Sequence, residues 1–186
     1  MVKRKAIEIK YDKQDEHIPA LPSRHSFCLV AGEWRQLFGR YQLQLMVAEA
    51  LNYCVHHEKM HIEGYLITQK AVYLVLRISR TEIHQLLDVF FERIEKQVDH
   101  HLNHIRGQHP QNIIKMQPLF RLHNLVNFNL IELITGQNVV LPYYNAAVEK
   151  VKEIVKQSEF CSAIDYSGAK GPVVVKMHNY LEKGNY

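Results

Sequence analysis

The residues that could do chemistry in this chain of 186 are first of all its twelve histidines. Asp99-His100-His101-Leu102-Asn103-His104 sets His100 and His104 four positions apart. On a helix that interval stacks two imidazoles on one face, where both rings can converge on a metal ion. Spacing forces no third ligand, although His56, His57 and His61 could supply one or simply face solvent. The more ordinary reading is a polar helix C-terminus, where the helix dipole favours histidine. Cys28, Cys54 and Cys161 are an odd number without metal-type spacing, and read as reduced, partly buried thiols. No Ser-His-Asp or Cys-His arrangement can be argued. Tyr166-Ser167-Gly168-Ala169-Lys170-Gly171 lacks phosphate-loop spacing and reads as a loop.

Cationic chemistry is the second possibility. The formal net charge is +4, which permits nucleic-acid binding without demanding it. After Lys3-Arg4-Lys5 the basic residues are scattered: Lys70, Arg77, Arg80, Lys115, Arg121. If Arg77 and Arg121 lie on an open sheet face, they are placed to meet phosphates. Such contacts give salt-sensitive affinity and carry no sequence information. Ordinary surface charge accounts for them equally well. Tyr143-Tyr144 can stack on bases, or pack into a core or subunit contact.

These side chains must be carried by an ordinary globular chain, 47% hydrophobic and 23% charged. No apolar run is long enough to cross a bilayer, and the N-terminus lacks the apolar middle of a signal peptide. A cytoplasmic location without membrane association is expected. Ala6–Tyr11 alternates like a strand, and His25–Val30 is a second strand candidate. From Leu37 to about His57 apolar residues recur at helical spacing, with Gln42, Gln44, Glu49 and Asn52 on the other face. Ile62–Ile67 and Ala71–Ile78 predict a hairpin. In its second strand Val72, Leu74, Leu76 and Ile78 share one face, and Ala71, Tyr73, Val75 and Arg77 the other. Ser79-Arg80-Thr81-Glu82 has the form of a capping box before a long helix that should stop ahead of Gly107. Leu119–Val126 predicts a strand, Asn129–Ile134 a short helix, Asn145–Gln157 a third clear helix, and Val173–Val175 a last strand.

The order strand, helix, hairpin, helix, strand predicts an α+β fold: a ferredoxin-like antiparallel sheet with two long helices on one face, plus a C-terminal helix and strand. The expected division is a leading segment 1–24, a ferredoxin-like domain 25–142, and a C-terminal helix and tail, 143–186, packed on the same domain. The face with Ala71, Tyr73 and Arg77 is expected to remain available for a partner or substrate.

Tyr65-Leu66-Ile67-Thr68-Gln69-Lys70-Ala71-Val72-Tyr73-Leu74-Val75-Leu76 resembles a segment that single-tyrosine HUH transposases write as Y-V-I-M-P-N-H-V-H-L-L-L. These are the insertion-sequence and REP-associated transposases, largely bacterial. Gly32–Phe38 is similar to the family's short turn, and Gln117-Pro118-Leu119-Phe120 to its G-P-L-F turn. The similarity covers roughly residues 24–145 and lies in the pattern of elements more than in identities.

The family's two histidines sit two apart on a strand and hold a divalent metal, which polarises the scissile phosphate for attack by a tyrosine. Here the histidine positions read Ala71 and Tyr73, and the nucleophile column, anchored on Asn103, falls on Val98. Alanine offers no lone pair, a phenol ligates poorly until it loses a proton, and valine cannot attack. The family's F-x-x-R reads Phe120-Arg121-Leu122-His123, so its arginine is displaced as well. The resemblance therefore implies a transposase-family protein that binds single-stranded or hairpin DNA as a homodimer, holds no metal and no longer cuts. Lys70, Arg77, Arg121 and His123 are the expected DNA contacts. A homodimeric interaction protein that has lost DNA binding is the rival. A metal enzyme using the histidine clusters ranks last.

Overall fold

A computed structural model describes residues 22–106 and 118–177. Strand β1, Ser23–Ala31, leads through a 3-10 turn at Glu33–Leu37 into helix α1, Arg40–His57. The hairpin β2, Ile62–Ile67, and β3, Ala71–Ile78, is followed by helix α2, Ile83–Arg106. Strand β4 is Phe120–Asn124, and three helices follow: α3, Phe128–Ile134; α4, Ala146–Gln157; and α5, Ala163–Tyr166. The sheet order is β2-β3-β1-β4, and each neighbouring pair is antiparallel. This is the expected α+β, ferredoxin-like arrangement.

Alternation creates the first core. Phe27, Leu29 and Ala31 of β1 share a face with Val72, Leu74, Leu76 and Ile78 of β3, and all are buried. Helix α2 lays Ile83, Leu87, Phe90, Ile94, Val98 and Leu102 over that face. These residues recur at three- and four-residue intervals, as one helix face requires. The 3-10 turn is bolted to the start of β4 by Trp34, whose indole Nε1 donates to the Leu119 carbonyl at 2.6 Å.

Helix α1 is buried more widely than its amphipathic pattern predicts. Gln44, expected on the solvent side, is 5% exposed and donates to the Ile67 carbonyl at 2.7 Å. Asn52 accepts from Val174 N and donates to the Pro172 carbonyl. At Gln44 the cause is the end of β2, and at Asn52 it is the C-terminal chain at residues 172–174.

That same chain covers the outer edge of β2. Ile67 N donates to the Phe160 carbonyl, Ser162 N to the Tyr65 carbonyl, and Lys176 N to the Ile62 carbonyl. Residues 171–177 stay extended without forming a ladder, so the strand expected at Val173–Val175 is a strap held by single bonds. The capping box also differs. Glu82 N donates to the Ser79 carbonyl while Ser79 Oγ meets Thr81 Oγ1, so the segment forms a turn ahead of α2. The strand expected at residues 6–11 lies outside the described residues.

A second, smaller core lies on the opposite face of the sheet. Leu66 and Val75 pack against Leu125, Leu130, Ile134, Val155 and Cys161. Gly64 makes this approach possible: a Cβ there would stand 2.6 Å from the Ile134 carbonyl oxygen and 2.8 Å from Thr135 Cγ2. Gly136, at φ +76°, then ends α3 in the left-handed conformation that favours glycine.

Candidate nucleic-acid interface

Strand register fixes what the second face presents. Across β4, β1 and β3 one row reads Arg121, Val30, Ala71. The next reads His123, Cys28, Tyr73 and, on β2, Leu66. Ser26 and Val75 form a third row, and Arg24 and Arg77 a fourth. Successive strands lie about 4.8 Å apart, so each row spans a surface wide enough for a polynucleotide backbone.

This face is not left open, contrary to the sequence expectation. Leu125 N donates to the Ser26 carbonyl beside β1, and Ile134 ends over Gly64 on β2. Helix α3 therefore crosses the sheet above the third row. Ala71 is 5% exposed, and Tyr73 is half-buried against the second core. The remote C-terminal helices, rather than anything near the hairpin in sequence, provide this cover.

The predicted contact residues separate into two groups. Lys70 is exposed at the hairpin tip, and its carbonyl accepts from Ala31 N. Arg121 and His123 are exposed on β4, flanking the half-buried Val30 and Cys28. These three face solvent on the uncovered part of the sheet. Arg77 lies beyond α3, and its Nε donates to Glu63 Oε1 at 2.5 Å. It is a paired guanidinium, not a free one.

The transposase reaction does not fit these residues. Ala71 offers no donor atom. Burial, and then the neighbouring Cys28, raises the Tyr73 phenol above its ordinary value, while burial raises the Cys28 thiol. Both groups stay protonated near neutral pH, the wrong state for a metal ligand or nucleophile. Val98 is 0% exposed inside the first core, so the sheet itself separates it from Ala71 and Tyr73. No step can be routed through a metal here.

His100 is exposed on α2, whereas the side chain of His104 lies outside the described residues. Its neighbour His101 packs against Phe38, with ring centroids 4.5 Å apart, and its Nδ1 meets Gln42 Nε2. Among the described residues no group of three or more His, Cys, Asp or Glu side chains gathers as a metal site. Tyr143 and Tyr144 are exposed and so available for stacking. Sequence reasoning missed Glu63 and Arg24. The available signal was an acid inside the otherwise apolar strand Ile62–Ile67.

No described helix is long and apolar enough to cross a membrane. The chain matches no family model, no curated protein and no solved structure.

Proposed function

We propose that this protein binds single-stranded or hairpin DNA without cutting it, as a cytoplasmic member of the transposase group its hairpin resembles. The observation that carries the reading is the exposed set Lys70, Arg121 and His123 on the uncovered part of the second face. Lys70 and Arg121 as cations, with His123 as a polar donor or acceptor, beside a shallow, half-buried floor suit a phosphate backbone. The protonated Tyr73 and the alanine at 71 argue against cleavage.

The test is an anisotropy titration with labelled single-stranded and hairpin DNA at two salt concentrations. Arg121→Ala should weaken binding alike across sequences and flatten the log–log salt dependence by roughly 0.7–0.9 of a unit. Glu82→Gln, away from this face, should not weaken it. A wild-type protein with no salt-dependent DNA affinity would sink the reading. A covalent protein–DNA adduct formed with magnesium would overturn the loss of cleavage.

A second reading, a homodimeric interaction protein, draws on a different observation. Val126, Phe128, Val140, Tyr143 and Tyr144 are exposed in the segment after β4. Among the described residues no strand pairs with the outer edge of β4. Exposed apolar groups beside an open edge favour association with a second copy. Sedimentation at micromolar concentration distinguishes the dimer from a monomer of 21.8 kDa.

A further inference from the structure

On the far side of α3, Arg24 and Arg77 stand directly opposite each other on β1 and β3. Like charges so placed repel, and a structure keeps them only with compensation. Glu63 supplies part of it. Its side chain is 4% exposed and lies in the irregular register between Ile62 and Gly64 on β2. Arg24 Nε is 3.0 Å from Oε2, and Arg77 Nε is 2.5 Å from Oε1. The Glu63 carbonyl accepts from Tyr166 Oη at 2.7 Å, which ties this point of β2 to the C-terminal unit.

Both guanidiniums contact this one carboxylate. Each arginine meets the carboxylate through Nε, and the side chains remain 32% and 34% exposed. Among the described residues neither Nη pair donates a hydrogen bond. The Arg77 fork is hydrogen-bonded to Glu63 and the Arg24 fork is in ion-pair contact with it, and both keep donors available. That arrangement recognises a tetrahedral oxyanion, whose oxygens can take charge-assisted bonds from both forks.

We propose that Arg24 and Arg77, positioned by Glu63, form a binding site for a phosphate group, either a free phosphate monoester or a phosphate of a nucleic acid. The site is separated by α3 from Lys70, Arg121 and His123 and does not depend on that surface binding DNA.

The direct test follows the arginine Nε–H resonances of the full chain while inorganic phosphate replaces chloride at constant ionic strength. Saturable shifts at Arg24 and Arg77, with Arg93 over the Tyr53 ring unmoved, are expected. Arg24→Lys and Arg77→Lys keep the charge beside Glu63 and lose the fork. Each should weaken phosphate binding about tenfold, while Arg93→Gln, whose guanidinium lies over the Tyr53 ring, leaves it unchanged. A short oligonucleotide with and without a 5′-phosphate identifies the source. Dependence on the terminal group assigns a monoester, and indifference to it assigns the backbone. Shifts that fail to saturate, or that spread equally to Arg93, overturn the proposal. So does phosphate binding unaltered by both lysine variants. Loss of DNA binding at Arg121 with phosphate still seated at Arg24 and Arg77 would refute the interface reading alone.

Discussion

The two faces of the sheet are covered by different means. Helices α1 and α2 follow their strands closely in sequence and bury a broad first core that contains Phe90, Ile94 and Val98 at 0% exposure. The second face receives a smaller cluster from residues 125–161, and β4 keeps Arg121 and His123 in solvent. The first cover supplies mostly stability. The second leaves part of a sheet surface exposed and divides it, with a cationic floor on one side of α3 and the Arg24–Glu63–Arg77 cluster on the other. Exposed polar surface persists where the second layer stops short.

The largest effect expected from breaking this contrast lies in the first core. Phe90→Ala removes a fully buried ring that touches Phe91 and Phe120. It should cost about 3–5 kcal/mol in urea unfolding. Leu130→Ala in the smaller cluster should cost less, toward the lower end of about 2–5 kcal/mol, because a thinner layer relaxes more readily into the space. Equal losses, or a larger one at Leu130, would show that the second layer is as integral as the first.

A smaller perturbation separates the layers. Gly64→Ala drives a methyl group into the Ile134 carbonyl and Thr135. A cost of about 1–3 kcal/mol is expected, felt mainly by α3 and the chain after it. Cysteine labelling reads the location. Cys54 and Cys161 are both 0% exposed, with thiols pushed up to about 12 and about 11, chiefly by burial. Neither reacts until its own layer opens. The substitution should speed labelling of Cys161, in the second cluster, and leave Cys54 slow. Equal acceleration of both would mean that the layers open as one unit.

Much of the first layer was legible in the sequence, because local periodicity encodes it. The hairpin bounds Ile62–Ile67 and Ala71–Ile78 and the split order of elements follow from spacing and turn chemistry. The second layer was not legible. What covers Val75 comes from Leu130, Ile134 and Val155, and short helical patterns do not specify a docking partner. Gln44 and Asn52 were misplaced for the same reason, since their partners Ile67, Pro172 and Val174 are paired only by the fold. Of the expected contacts, Lys70, Arg121 and His123 face solvent. Arg77 does not stand free because Glu63, two strand positions from Tyr65, reaches it across the hairpin.

The smallest effect tests the charge felt by His25 near the start of β1, on the first face of the sheet. His25 lies near the start of β1, stacked against Phe27, with Nε2 at 2.7 Å from Ser23 Oγ. Burial first, and Arg80 second, lower its pKa, while the Ile78 backbone opposes them by raising it. The fold therefore favours the neutral ring. Above about pH 6.5, the ordinary imidazole value, the folded and unfolded states are both neutral and the full stability is present. Below it the unfolded chain takes up its proton first, so stability falls with pH until the folded imidazole titrates too. Arg80→Gln removes the electrostatic contribution but not the burial. The His25 pKa, followed by its ring resonances, should move up only part of the way toward 6.5. The acid-side loss of stability should shrink in step. His25→Asn should abolish that part of the pH dependence while leaving stability at pH 8 nearly unaltered. A His25 pKa that ignores the loss of Arg80 would mean that solvent screens this end of the sheet.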